Sequence, residues 1–491
     1  MKRVASTISP VISVDRRSTT PLHRQVYDAY RSAILRRHLL PGQQIPSSRA
    51  LAAELGVSRI PVLSAYSQLL AEGYFQARTG SGTYISDSLP EQMTTCELRA
   101  SPAARTANGF RRLARRCETL RGFKAAPWLY GWGAFSVGQV SLDAFPFQVW
   151  LRLVARHCAR LSTGAFHFSD PLGSENFRET IAKYLRTARA VNCEPNQIMV
   201  VSGSQQALEI AARVLLNPGD AVWLEEPGYT LARQVFALAG CRIVPVPVDD
   251  EGLDVSLGIK RSRKARAAYV TPSHQFPLGT TMSASRRLQL LEWAERSDAW
   301  IIEDDYDSEY RYTDLPIASL QGLDRSSRVI YIGTFSKTLF PSLRLGFMVI
   351  PPDLIEKFVT VRHIMDIYPP HLYQAVLKDF VEEGHFARHV RRTRLLYAEK
   401  RRVLVEALKE QFGDSVQIHG ASAGLHQAAT LSSVSSDRAV SFRAAKQKLW
   451  LWPLSPCYLG DKRRQGFVLG FGSAPTNAIR PAVQRFRKLI D

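Results

Sequence analysis

The chain runs to 491 residues, 45% hydrophobic and 22% charged, which is globular in composition and too long for one hydrophobic core, so two or more domains are predicted. Six cysteines without a C-x-x-C pair argue against a structural zinc site, and the absence of a bilayer-length apolar run or an apolar h-region argues against membrane insertion and export. The chain therefore reads as reduced and cytoplasmic.

Residues 1–20 are expected to form an N-terminal arm. The stretch P-L-H-R-Q-V-Y-D-A-Y-R-S-A-I-L-R-R, residues 21–37, places Val26, Tyr27, Tyr30, Ile34 and Leu35 near helical spacing. After a Pro41-Gly42 turn, Ser47 is positioned to cap a short helix from Ser48 to Leu55. Gly56 ends it, and Ser58 is positioned to cap a second helix running to about Glu72. Two short helices joined by G-V-S predict a helix-turn-helix. Y-F-Q-A-R and T-Y-I-S then read as strands around Thr79-Gly80-Ser81-Gly82, a hairpin wing. The formal net charge of +20 is concentrated here, since residues 1–124 hold 19 Lys/Arg against 8 Asp/Glu, a net of +11. A basic module suits a polyanion, most simply nucleic acid, although a basic surface that serves only solubility has the same composition.

Residues 87–130, rich in Arg, Ala, Thr and Ser, read as a basic linker. Within it, Arg111–Arg116 is either a DNA-proximal patch or a solvated face. From residue 131 onward, apolar strands alternate with amphipathic helices: Gln197–Ser202, Ala221–Leu224, Cys241–Val246, Ala267–Val270, Trp300–Ile302 and Val329–Ile332. That alternation predicts an α/β domain with a mostly parallel sheet. Lys337, in G-T-F-S-K, follows an apolar strand and precedes another apolar run, where a charge is either stray or a desolvated amine kept for chemistry. Asp304 and Tyr306 stand just past another strand, and V-V-S-G-S-Q-Q-A-L forms a strand, a small-residue turn and a helix start able to cradle phosphate. A lysine, an aspartate, a tyrosine and a phosphate nest at strand ends describe a pyridoxal phosphate site.

I-P-S-S-R-A-L-A-A-E-L-G-V-S-R-I-P-V-L-S-A-Y-S-Q-L-L-A-E-G-Y followed by G-S-G-T-Y-I resembles the winged helix-turn-helix of the GntR superfamily, over residues 21–86. The resemblance implies contact with double-stranded DNA through Arg49, Ser58, Arg59 and the wing glycines Gly80 and Gly82. Pro61 stands where the family commonly has a small polar residue, a position in the first helical turn where proline is tolerated. E-D-D-Y-D-S-E, T-P-S-H-Q-F-P and G-T-F-S-K resemble a fold-type I aminotransferase-like domain with a small C-terminal α/β subdomain, over residues 131–491. The two regions in this order resemble the MocR/GabR class of transcriptional regulators, which implies a homodimer reading paired half-sites.

On that resemblance, Lys337 is the Schiff-base lysine for pyridoxal 5'-phosphate, Asp304 the pyridine partner and Tyr306 the ligand of the 3′ oxygen. Tyr229 stacks on the ring, Ser204, Gln205, Thr334 and Arg344 hold the phosphate, and His274 lies near the ring. Two positions depart from the family: Val468 stands where an arginine usually binds a substrate carboxylate, and Phe168 where a tyrosine usually serves the neighbouring subunit's phosphate. The expected function is therefore a regulator responding to pyridoxal phosphate itself, or to a small amine or amino acid. An aminotransferase with an appended DNA-binding module is the alternative, and a cofactor-free dimerisation domain a third reading.

Overall fold

The computed structural model describes residues 12–89, 114, 117, 126–160, 167, 169–312, 318–420, 423–461 and 463–490. Most of the expected linker, including Arg111–Arg116 apart from Ala114, lies outside the described residues, as does Phe168. The chain divides into two compact units, residues 1–112 and 113–491. Among the described residues no helix is long and apolar enough to cross a membrane.

The first unit has helices α1 (Leu22–Leu35), α2 (Ser48–Glu54) and α3 (Arg59–Ala71), then an antiparallel hairpin of β1 (Phe75–Arg78) and β2 (Gly82–Ile85). Ser47 accepts a hydrogen bond from the Ala50 amide at 3.2 Å, satisfying one orphan donor of α2. Ser58 occupies the N-cap position of α3 but makes no side-chain cap hydrogen bond, contrary to the sequence expectation. Val26, Tyr30, Ile34, Leu51, Val62 and Leu69 are fully buried, whereas Leu35, expected on the same face, falls at the end of α1 and is 42% exposed. Tyr30, Tyr66 and Phe75 meet edge to face with centroids 5.3–5.7 Å apart, which ties α1, α3 and the wing into one core. Ile12, in the expected arm, packs into that core as well.

The second unit is built on an eight-stranded sheet in the order β3-β10-β9-β8-β7-β4-β5-β6. Its strands are β3 (Ile198–Val201), β4 (Ala221–Glu226), β5 (Arg242–Asp249), β6 (Gly252–Leu253), β7 (Ala267–Val270), β8 (Trp300–Asp305), β9 (Val329–Thr334) and β10 (Gly346–Val349). The central five pair in parallel, and β10 runs antiparallel to both its neighbours. Apolar side chains are buried on both faces of this sheet, which is why its strands read as near-continuous hydrophobic runs. The long helix His385–Phe412 leads to an antiparallel sheet of β11 (Val416–His419), β12 (His426–Leu431), β14 (Gly466–Gly470) and β13 (Trp452–Pro453), in that order. The packed unit begins earlier than residue 131: Trp128 is buried and meets Phe442 at 5.0 Å, so the expected linker ends before it.

Candidate functional site

In the parallel part of the sheet, β4, β7, β8 and β9 all finish at the same edge, and the loops leaving them enclose a cavity of about 270 Å³. Lys337, Asp304, Tyr306, Tyr229, Ser204, Gln205, Thr334 and Arg344 all line it. His274 does not; it lies behind Tyr306, with its ring centroid 6.1 Å away.

Lys337 sits three residues past the end of β9, and its Nζ donates to the Gly138 carbonyl at 3.0 Å. Burial lowers the pKa of its amine, against the opposing pull of Asp307 and Asp304, so a larger fraction is the neutral nucleophile. Asp304, expected just past the strand, is instead the penultimate residue of β8, with its side chain buried. One carboxylate oxygen, Oδ2, accepts from the Tyr269 hydroxyl at 2.8 Å, while Oδ1 is buried without a partner. Burial pushes this carboxyl up to about 7, with the Tyr269 hydrogen bond pulling down and Asp305 pushing up. A cationic or N–H group facing Oδ1 would relieve that cost.

Tyr306 donates to the His274 carbonyl at 2.8 Å, and its hydroxyl lies 3.1 Å from His274 Nδ1, which is also 3.1 Å from Asp307 Oδ2. His274, Asp307 and His426 place ligand-type atoms within 4.8 Å of one another. They are engaged in hydrogen bonding with Tyr306, the Leu425 amide and the Pro277 carbonyl.

At the other end of the cavity, the helix Ser204–Leu215 begins immediately after Gly203, which has φ +100°. A Cβ at Gly203 would lie 3.0 Å from Arg344 Nη2, so glycine is what lets the guanidinium approach the helix start. Arg344, itself in the left-handed region at φ 51°, donates from Nη2 to the Ser202 carbonyl at 2.6 Å. Thr334 Oγ1 accepts from the Ser336 amide at 3.2 Å, and Ser336 Oγ is buried without a partner. A helix N-terminus, an arginine and the unpaired Ser336 hydroxyl suit a phosphate.

Several groups escaped the sequence reading. Tyr269 reaches Asp304 only because β7 and β8 pair in parallel, with Tyr269 opposite Ile302. Gly138, about two hundred residues before Lys337, has no local signature. Ser336 had one, its place directly before the lysine. Val468 is fully buried on β14, opposite Ala428 and Trp452, and lies behind the cavity wall. The wall itself is formed there by Phe276 and Trp452.

In the first unit, Arg49, Ser58, Arg59, Gly80 and Gly82 are exposed. Arg59, the first residue of α3, donates from Nε to Ser48 Oγ at 3.1 Å, which holds its side chain against the start of α2. Gly80 and Gly82 have φ of 73° and 113° at the hairpin tip, a conformation glycine adopts without strain.

Residues 22–85 match the family of bacterial regulatory proteins of the gntR type, and residues 132–459 match aminotransferase class I and II. Over 479 residues the chain is 39% identical to the probable rhizopine catabolism regulatory protein MocR of Rhizobium meliloti, covering 97% of this chain and 95% of that one. This chain belongs to the MocR/GabR type of transcriptional regulators. It is also 31% identical over 473 residues to the pyridoxine biosynthesis transcriptional regulator PdxR of Corynebacterium glutamicum, covering 96% of each chain. Among solved structures, the kynurenine aminotransferase of Pyrococcus horikoshii superposes with a TM-score of 0.71 at 27% identity, over 80% of this chain and 98% of that one. Such regulators join a DNA-binding helix-turn-helix to an aminotransferase-like domain, and the aminotransferase fold in general implies pyridoxal phosphate binding.

Proposed function

We propose that this regulator binds operator DNA through residues 21–86 and holds pyridoxal 5'-phosphate in residues 131–491, with the occupancy of the cavity setting its affinity for DNA. The observation that carries the reading is the convergence of eight separately identified side chains on one cavity at the strand ends. Bound there, the cofactor supplies an aldehyde that condenses with primary amines and a ring nitrogen that draws electrons when protonated. Lys337 is the amine positioned for it. Asp304, through its unpaired Oδ1, would hold the proton on the ring nitrogen, and Tyr306 would bond the 3′ oxygen. Tyr229 would cover the ring, and Ser204, Gln205, Thr334, Ser336 and Arg344 would hold the phosphate. His274 would act through Tyr306, fixing its hydroxyl.

On the DNA side, Arg59 and Arg49 would meet bases and phosphates, and the hairpin tip around Gly80 and Gly82 would approach the minor groove. The protein would act in the cytoplasm as a homodimer on paired half-sites, with pyridoxal phosphate itself as a signal that shifts the DNA-bound state by differential affinity. The pyridoxine-biosynthesis role named for PdxR is consistent with such a signal. An aminotransferase with a DNA-binding appendage fits less well, because the position that usually carries a carboxylate-binding arginine is Val468, buried among apolar side chains.

The test is the absorbance spectrum of the purified protein with added pyridoxal phosphate, alongside operator binding. A band that saturates with cofactor, is absent in Lys337→Ala and accompanies a change in operator affinity is expected. A wild-type protein that stays colourless at saturation refutes the site.

A further inference from the structure

Resting on the cofactor reading above, we infer that the ligand this cavity admits beside the cofactor is a primary amine with an uncharged body, and that amines bearing a carboxylate are discriminated against. Cations that could neutralise a carboxylate are all committed. Among the described residues, the only Lys or Arg side chains lining the cavity are Lys337 and Arg344. Lys337 is the amine that meets the cofactor. Arg344 is turned to the other end, onto the Ser202 carbonyl beside the start of the helix Ser204–Leu215.

The wall remote from the phosphate end is apolar. Phe276 and Trp452 line it, their rings 5.8 Å apart, and Val468, Leu278 and Leu454 pack behind them. His426 lies behind Phe276, with the two ring centroids 5.4 Å apart. Its Nε2 donates to the Pro277 carbonyl, and burial together with His274 keeps its pKa well below that of an ordinary histidine, so it brings no positive charge. A carboxylate brought against Phe276 and Trp452 would be desolvated without a partner, whereas a hydroxyl or alkyl body carries no such penalty. Asp304, in β8, and Asp307, just past the end of that strand, add negative potential that opposes it further.

The experiment uses the full chain loaded with pyridoxal phosphate and matched pairs of ligands: ethanolamine against serine, and isobutylamine against valine. Calorimetric affinity and the cofactor absorbance are recorded at equal concentrations of free base, and operator binding is measured in parallel. Each neutral amine should bind at least about tenfold more tightly than its amino acid. In Trp452→Arg, which puts a guanidinium into the wall, the preference should shrink or reverse. If that variant fails to load, the wild-type ratios still decide. Equal or tighter binding of serine or valine overturns the inference, and so does the absence of binding by either class to the loaded protein. A wild-type protein that develops no cofactor band fails at the earlier step, which refutes the cofactor reading itself and is seen before any ligand is added.

Discussion

Asp304→Asn separates what the cofactor site needs from what the fold prefers. Asp304 is buried, bonded by Tyr269 through one oxygen and unpaired at the other, and its carboxyl is pushed from 3.8 up to about 7. Between those two values the folded state binds more protons than the unfolded state, so this group's contribution to stability falls as pH rises through that window. Carrying the carboxyl from 3.8 to about 7 corresponds to about 4 kcal/mol against the fold above pH 7. Asparagine carries no charge and can still accept from Tyr269 through its carbonyl, but its amide at the unpaired position costs about 1–3 kcal/mol. The variant without cofactor should therefore be about 1–3 kcal/mol more stable than wild type at pH 8, and the order should reverse towards pH 4, where the carboxyl is protonated and only the cost of the amide, about 1–3 kcal/mol, remains. Pyridoxal phosphate should stabilise wild type strongly and the variant weakly, because the neutral amide cannot hold a ring proton. All eight tryptophans lie beyond residue 126, so urea unfolding followed by tryptophan fluorescence reports the second unit within the full chain. A variant less stable than wild type at pH 8 without cofactor, or one stabilised equally by cofactor, refutes the reasoning.

Gly138→Ala places a Cβ 2.4 Å from Lys337 Nζ at a backbone with φ +76°. It should cost about 1–2 kcal/mol in the left-handed conformation and displace the lysine, weakening cofactor loading as read by the absorbance titration. Arg59→Ala should weaken operator binding by about 1–3 kcal/mol in a gel-shift titration, with the cofactor band unchanged because the two units have separate cores. Ser47→Ala removes the cap of α2 and should lower the stability of the first unit by about 1 kcal/mol, measured by thermal unfolding of the full chain followed by circular dichroism. Sedimentation at working concentration should give a dimer; a monomer there counts against paired half-sites.

What the sequence determined on its own was what short-range chemistry encodes. The Ser47 cap, the turn at Gly56, the hairpin glycines and the parallel strands of the large sheet were legible because caps, turns and apolar runs act within a few residues. The convergence of Lys337, Asp304, Tyr306 and Arg344 was legible through motif order, since strand ends in a parallel sheet share one edge. Tertiary structure alone decided the rest. Strand pairing set Tyr269 against Asp304, and a distant turn brought the Gly138 carbonyl to Lys337. Ser58 looked like a cap, but nothing in its neighbourhood revealed that its side chain would leave the backbone unbonded. Val468 was visible as a missing charge, yet only the packing of β13 and β14 against the Phe276 loop set it behind an aromatic wall. These features depend on which residues far apart in the chain share a register or a packing layer, and no local period or propensity records that.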